Sequence, residues 1–116
     1  MRTEDMRNKF SYSSKDMDKL TIKVRLIGGL KGLAGKPEIY LTPKRRALTV
    51  SEAILELCRK VSSPDFEREV VDPRSKTVGP NVIVLVNDKD ISVLQGSETL
   101  IRGDDAVTLV PVSHGG

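Results

Sequence analysis

Hydrophobic and polar positions first alternate at the start of the ordered chain, where Leu20, Ile22, Val24 and Leu26 are separated by Thr21, Lys23 and Arg25. A period of two turns every second side chain to one face, so this stretch predicts a half-buried strand. Gly28 and Gly29 end it. LKGLAG then reads as one helical turn or a loop closing at Gly35, and Glu38–Leu41 as a second strand. The two strands are expected to pair antiparallel. Beyond Pro43 the period changes: Val50, Ala53, Ile54, Leu57, Cys58 and Val61 recur at three and four residues, the apolar stripe of a helix. Thr49 stands at its N-cap with Glu52 three residues on, a capping box. Glu56 and Lys60 are spaced for an ion pair along the helix.

Residues 62–80 are irregular, with Ser63-Pro64 signalling the start of a short helix. The run NVIVLV, Asn81 to Val86, is apolar on both faces and predicts a strand covered on both sides or central in its sheet. Asn87-Asp88-Lys89-Asp90 is turn chemistry and Ile91–Leu94 a short strand after it. Gly103-Asp104-Asp105 makes another turn before the last strand, Ala106–Val112. Pro111 carries no N–H, which places that strand's end at a sheet edge or beyond the ladder. An antiparallel arm, one long helix and further strands define an α+β fold. It is a β-grasp: a mixed sheet of four to five strands with one main helix packed across it.

A chain of 116 residues holds one domain. Residues 1–17 mix both signs of charge without a period and are expected to form a disordered tail. The domain is expected over 18–112, with a flexible tail at 113–116. The 19 Lys+Arg against 16 Asp+Glu give a net charge of only +3, and two Phe, two Tyr and no Trp leave little surface to stack on bases. A single Cys excludes a disulfide framework, a structural zinc site and a Cys-ligated iron–sulfur cluster. No apolar run approaches the roughly 18 residues of a membrane span, and no secretory signal opens the chain. A cytoplasmic protein without a membrane partner is the expectation.

The candidate chemistry of the body is sparse. The single His, His114, lies in the C-terminal tail, so no Ser/His/Asp or Cys/His set is available in the body. GGLKGLAGK fails as a phosphate loop because Pro37 follows Lys36 where Ser or Thr is required. Cys58 falls on the helix's apolar stripe and reads as a packing thiol. Lys44-Arg45-Arg46 is a basic cluster that either faces solvent or touches RNA or an acidic protein. Catalytic residues, bound cofactors and metals are therefore not expected.

The tail is more informative. Four residues follow Val112 and reach about 13 to 14 Å when extended. The last two, Gly115 and Gly116, have no Cβ and can thread a slot too narrow for side chains. A carboxylate at the end of such a thread is open to activation by another protein.

These features resemble the ubiquitin-like sulfur-carrier and small-modifier family, which includes the molybdopterin synthase small subunit, the ubiquitin-related modifier and the archaeal small modifiers. The resemblance rests on VRLIGGLKGLAG (Val24–Gly35) and on VLVNDKDISVLQGSETLIRGDDAVTLVPVSHGG (Val84–Gly116). The small synthase subunit usually ends Phe-Pro-Pro-Val-x-Gly-Gly; this chain has VPVSHGG, nearer to the ubiquitin-related modifier.

What the resemblance implies is a carrier or tag, not an enzyme. A ubiquitin-activating-type enzyme would adenylate the Gly116 carboxylate with its own ATP and Mg. The product would become a thiocarboxylate, for molybdopterin synthesis or tRNA thiolation, or an isopeptide bond to target lysines. The chain could serve as the small subunit of a molybdopterin synthase, beside its large subunit, or work with a tRNA thiolation enzyme. Gly115 would supply the slim neighbour, Pro111, Val112, Ser113 and His114 would form the tail that enters the partner's slot, and Pro111 would stiffen the exit from the sheet. The body contact is expected on the exposed sheet face near the C-terminus. The alternative is a binding module for RNA or protein that is never activated.

Overall fold

The structure, a computed structural model, describes residues 21–112. Its order is β1 (Ile22–Leu26), α1 (Gly29–Ala34), β2 (Glu38–Leu41), β3 (Ala47–Thr49), α2 (Val50–Val61), α3 (Pro64–Val70), β4 (Val82–Val86), β5 (Lys89–Asp90), β6 (Leu100–Arg102) and β7 (Ala106–Pro111). Five strands form one sheet in the order β2-β1-β7-β4-β5, and β3 pairs with β6 in a second, two-stranded sheet. The central pair, β1 and β7, is parallel, whereas β1–β2, β4–β7 and β4–β5 are antiparallel. This is the mixed sheet and crossing helix of a β-grasp.

The period-two pattern of β1 holds residue by residue. Ile22, Val24 and Leu26 are buried, while Arg25 faces out. The helix α2 turns Val50, Ala53, Ile54, Leu57 and Cys58 inward, and they join Val24, Val84, Val107 and Leu109 of the sheet in one core. Its start is a complete capping box: Thr49 Oγ1 accepts from the Glu52 N–H at 3.1 Å, and Glu52 Oε1 accepts from the Thr49 N–H at 2.9 Å. The short helix signalled by Ser63-Pro64 is α3, with Ser63 Oγ accepting from the Phe66 N–H. It closes one side of the core with Phe66 and Val70.

Three expectations need correction, and a fourth is decided between its two alternatives. Ile91–Val93 is a 3-10 turn, not a strand, because Asp90 caps it by accepting the Ser92 N–H. The run 87–90 is more than a turn. Asn87 and Asp88 take positive φ, and Lys89–Asp90 return along β4 as β5. Of the two readings of β4, interior to its sheet holds, since it lies between β7 and β5, and coverage on both sides does not, since Ile83 on its outer face is 39% exposed. Finally, Glu56 pairs with Arg59 and not with Lys60, whose Nζ donates instead to the Tyr40 carbonyl at 2.6 Å.

Candidate functional site

The last strand is held on both sides up to Pro111. Leu109 accepts the Ile27 N–H at 3.1 Å from β1's side, and the Val112 N–H donates to the Asn81 carbonyl at 2.9 Å on β4's side. Pro111 itself lies opposite Val82 in the β4 ladder. The strand's end is therefore not at a sheet edge, since β7 is central, and the other alternative, an end beyond the ladder, holds on β1's side only. The missing N–H nevertheless has a physical place. Bonds from even-numbered residues of β7 run to β4, so the nitrogen of Pro111 faces β1, and β1 has already turned away at Gly28. A proline fits there without leaving an acceptor of the ladder unpaired.

Gly28 makes the other half of this exit. Its φ of 58° and ψ of −131° belong to glycine, and a Cβ built on it would meet Pro111 Cγ at 3.4 Å. Gly28 therefore lets β1 leave the sheet directly beside the proline. The chain emerges with its final rungs fixed: Pro111 against Gly28 and Val112 tied to Asn81. Of the six residues singled out in the tail, Pro111 and Val112 are thus placed at the mouth of the exit. Ser113, His114, Gly115 and Gly116 lie outside the described residues, as do the expected N-terminal tail and Leu20.

Next to the exit lies an apolar surface that the sequence did not name. On the outer face of the sheet Ile83 stands opposite Val110, and Leu85 opposite Thr108. Ile27 follows Leu26, which is registered with Leu109, so it lies beside Val110. Ile27 and Ile83 are both about two-fifths exposed. Four aliphatic side chains, Ile27, Ile83, Leu85 and Val110, therefore line the face that leads to Val112. The signal was present in NVIVLV: a strand apolar on both faces either is covered twice or offers a surface to a partner, and here it offers a surface.

The remaining candidates fall back into the fold. Cys58 is 7% exposed, and burial, with the negative charge of Glu67 second, pushes its thiol up to about 11. A thiol kept protonated among Ile54, Leu57 and Val61 is packing. In the basic cluster Arg45 is drawn back onto Glu52 at 2.7 Å. The Thr49 N–H and then Arg45 hold the Glu52 carboxyl below its ordinary range. Among the described residues no group of three or more His, Cys, Asp and Glu side chains could hold a metal ion, and no helix is long and apolar enough to cross a membrane.

Known proteins share this fold and sequence pattern. The family model for Urm1, the ubiquitin related modifier, matches residues 21–116. The ubiquitin-related modifier 1 of Schizosaccharomyces pombe is 32% identical over 105 residues, covering 84% of this chain and 100% of that protein. The solution structure of small archaeal modifier protein 1 from Methanosarcina acetivorans superposes with a TM-score of 0.70 at 25% identity, over 84% of this chain and 98% of its own. CysO, solved in a complex with BexX from Amycolatopsis orientalis, shares the fold at a TM-score of 0.65 and 21% identity, over 82% of this chain and 99% of the matched one.

Proposed function

Because this chain belongs to the ubiquitin-related modifier family, we propose that it works as a ubiquitin-like carrier or tag whose reacting group is the Gly116 carboxylate. One observation carries the reading. The family match runs through Gly116, and the strand leading to it is anchored on both sides up to Val112. The body is thus a handle, and the residues after Val112 are what it presents.

The chemistry follows from what a carboxylate needs. A carboxylate is a poor electrophile, so its oxygen first attacks the α-phosphate of ATP, and pyrophosphate leaves. The acyl-adenylate so formed has AMP as a good leaving group. Hydrosulfide supplied by a partner can attack the carbonyl and expel AMP, giving up its proton, and leave sulfur in place of one oxygen, a thiocarboxylate. A lysine amine attacking the same carbonyl forms an isopeptide bond, with loss of AMP and a proton. ATP and its Mg belong to the activating partner, and this chain supplies neither base nor metal. Its contribution is presentation, with Gly115 and Gly116 slim enough for a narrow slot and Ser113 and His114 setting the fit.

The activating partner is of the ubiquitin-activating type, and we assign its contact to Ile27, Ile83, Leu85 and Val110. That face is apolar, exposed and continuous with the exit, so a partner seated there receives the tail at a fixed distance. A molybdopterin synthase large subunit or a tRNA thiolation enzyme are the sulfur acceptors that the family chemistry allows. Deleting Gly116 tests the reading. ATP–pyrophosphate exchange by the partner should be lost while the melting temperature of the carrier stays the same.

A further inference from the structure

β2, two strands from β7, is an edge strand: among the described residues it pairs with β1 alone. The Leu26 N–H donates to the Pro37 carbonyl, and in this register Ile39 and Leu41 turn their main-chain groups toward β1. Glu38 and Tyr40 therefore direct N–H and C=O outward. Such a row is a template for another strand unless something guards it. The guard is Lys60, in the last turn of α2, whose Nζ donates to the outward Tyr40 carbonyl. A groove of about 310 Å³ lies alongside, lined by Leu41, Thr42, Pro43, Glu56, Arg59 and Lys60.

The charge around this groove is unbalanced. Arg45 is engaged by Glu52 and Arg59 by Glu56, both as ion pairs. Lys44 and Lys60 have no acidic partner among the described residues. An edge that offers main-chain donors and acceptors beside surplus positive charge matches an extended, acidic peptide. A nucleic acid would want aromatic platforms, and among the described residues Tyr40 is the one exposed ring.

We propose that the outer edge of β2 takes an extended acidic segment of another protein as an added strand. The Tyr40 carbonyl then accepts an N–H of that segment, and Lys60 swings from the carbonyl to a carboxylate of the same segment. The exchange costs little because Lys60 is exposed, and it trades one hydrogen bond for an ion pair and a ladder. This surface is independent of the Gly116 chemistry, so failure of one reading leaves the other standing.

The test is a titration of the full ¹⁵N-labelled chain with a synthetic peptide of alternating valine and threonine followed by glutamates. Saturable shifts centred on Glu38, Tyr40 and Lys60, with slowed amide exchange at Glu38 and Tyr40, are expected. Lys60→Ala should weaken binding about two- to fivefold, and reversal of both lysines, Lys44→Glu with Lys60→Glu, should weaken it further. Retention of the wild-type melting temperature identifies these losses as losses of contact. Lack of saturation would overturn the proposal, as would equal binding of a peptide with lysines for glutamates. So would shifts centred on Ile83 and Val110, or equal shifts at the β2 edge from a single-stranded RNA. Concentration-dependent shifts at Glu38 and Tyr40 without peptide would make the edge a contact between copies, and would also overturn it.

Discussion

Gly28 lies beside Pro111 at the point where β1 leaves the sheet, in a positive-φ conformation that side chains rarely adopt. The Cβ that Gly28 lacks would stand 3.4 Å from Pro111 Cγ, and Gly28 holds φ 58° and ψ −131°. Gly28→Ala should therefore cost about 1 to 3 kcal/mol through backbone strain, read by urea denaturation. The partner's adenylation rate at saturating carrier should fall as well, because relaxing the strained Gly28 backbone moves the turn beside Pro111 at the exit. An alanine variant with wild-type stability and rate would show that this contact does not set the exit.

The helix stripe is the second place where a number can be assigned. Leu57 is 1% exposed in the middle of the core, and Leu57→Ala should destabilise by about 2 to 5 kcal/mol in urea denaturation. Thr49→Ala should cost about 1 kcal/mol, since it leaves the Glu52 N–H without its acceptor.

Acid should weaken the same cap. Hydrogen bonding to the Thr49 N–H and the Arg45 guanidinium lowers the Glu52 pKa on folding. The stability this supplies is present above the ordinary glutamate value, about 4.3, and is lost as pH falls through the folded value. Denaturation of wild type and Glu52→Gln across that range should show two curves that converge on acidification. Parallel curves would mean that the carboxylate contributes nothing as a charge.

The opposite sign applies to Cys58. Burial raises its pKa to about 11, so the thiol stays protonated and its stabilising contribution is full below the unfolded value and declines as pH rises toward 11. Iodoacetamide at pH 8 should label the folded protein slowly and the urea-unfolded protein fast. Rapid labelling of the folded chain would place the thiol at the surface.

The apolar face can be separated from the core by substitution. Ile83→Ser removes a side chain that is already two-fifths exposed, so the melting temperature should change little while affinity for the activating partner drops. Unchanged adenylation kinetics would move the contact elsewhere.

Much of the fold was legible because its signals are local. The alternation in β1, the stripe of α2 and the Thr49–Glu52 box each decide their element within a few residues. What escaped depends on distant pairing. The sheet formed by Ala47–Thr49 and Leu100–Arg102 joins residues about fifty apart, and nothing in either triplet announces its partner. The fate of Ile91–Val93 turned on the Asp90 side chain capping it, which competes with strand formation without leaving a mark in the apolar pattern. At the exit, Pro111 was read as marking a sheet edge or a position beyond the ladder, because a missing N–H is harmless at either. A central strand whose neighbour has just ended offers the same freedom. The aliphatic face was encoded in NVIVLV but read as burial, since sequence shows that both faces are apolar and not which one stays open.

The most direct test of the central claim is the intact mass of N-terminally tagged protein purified from its own cells, beside a form lacking Gly116. Sulfur in place of an oxygen at Gly116, or adducts joined through Gly116 to lysines, is expected in the full-length form alone. Free acid only, with the same bound partners for both forms, would contradict it.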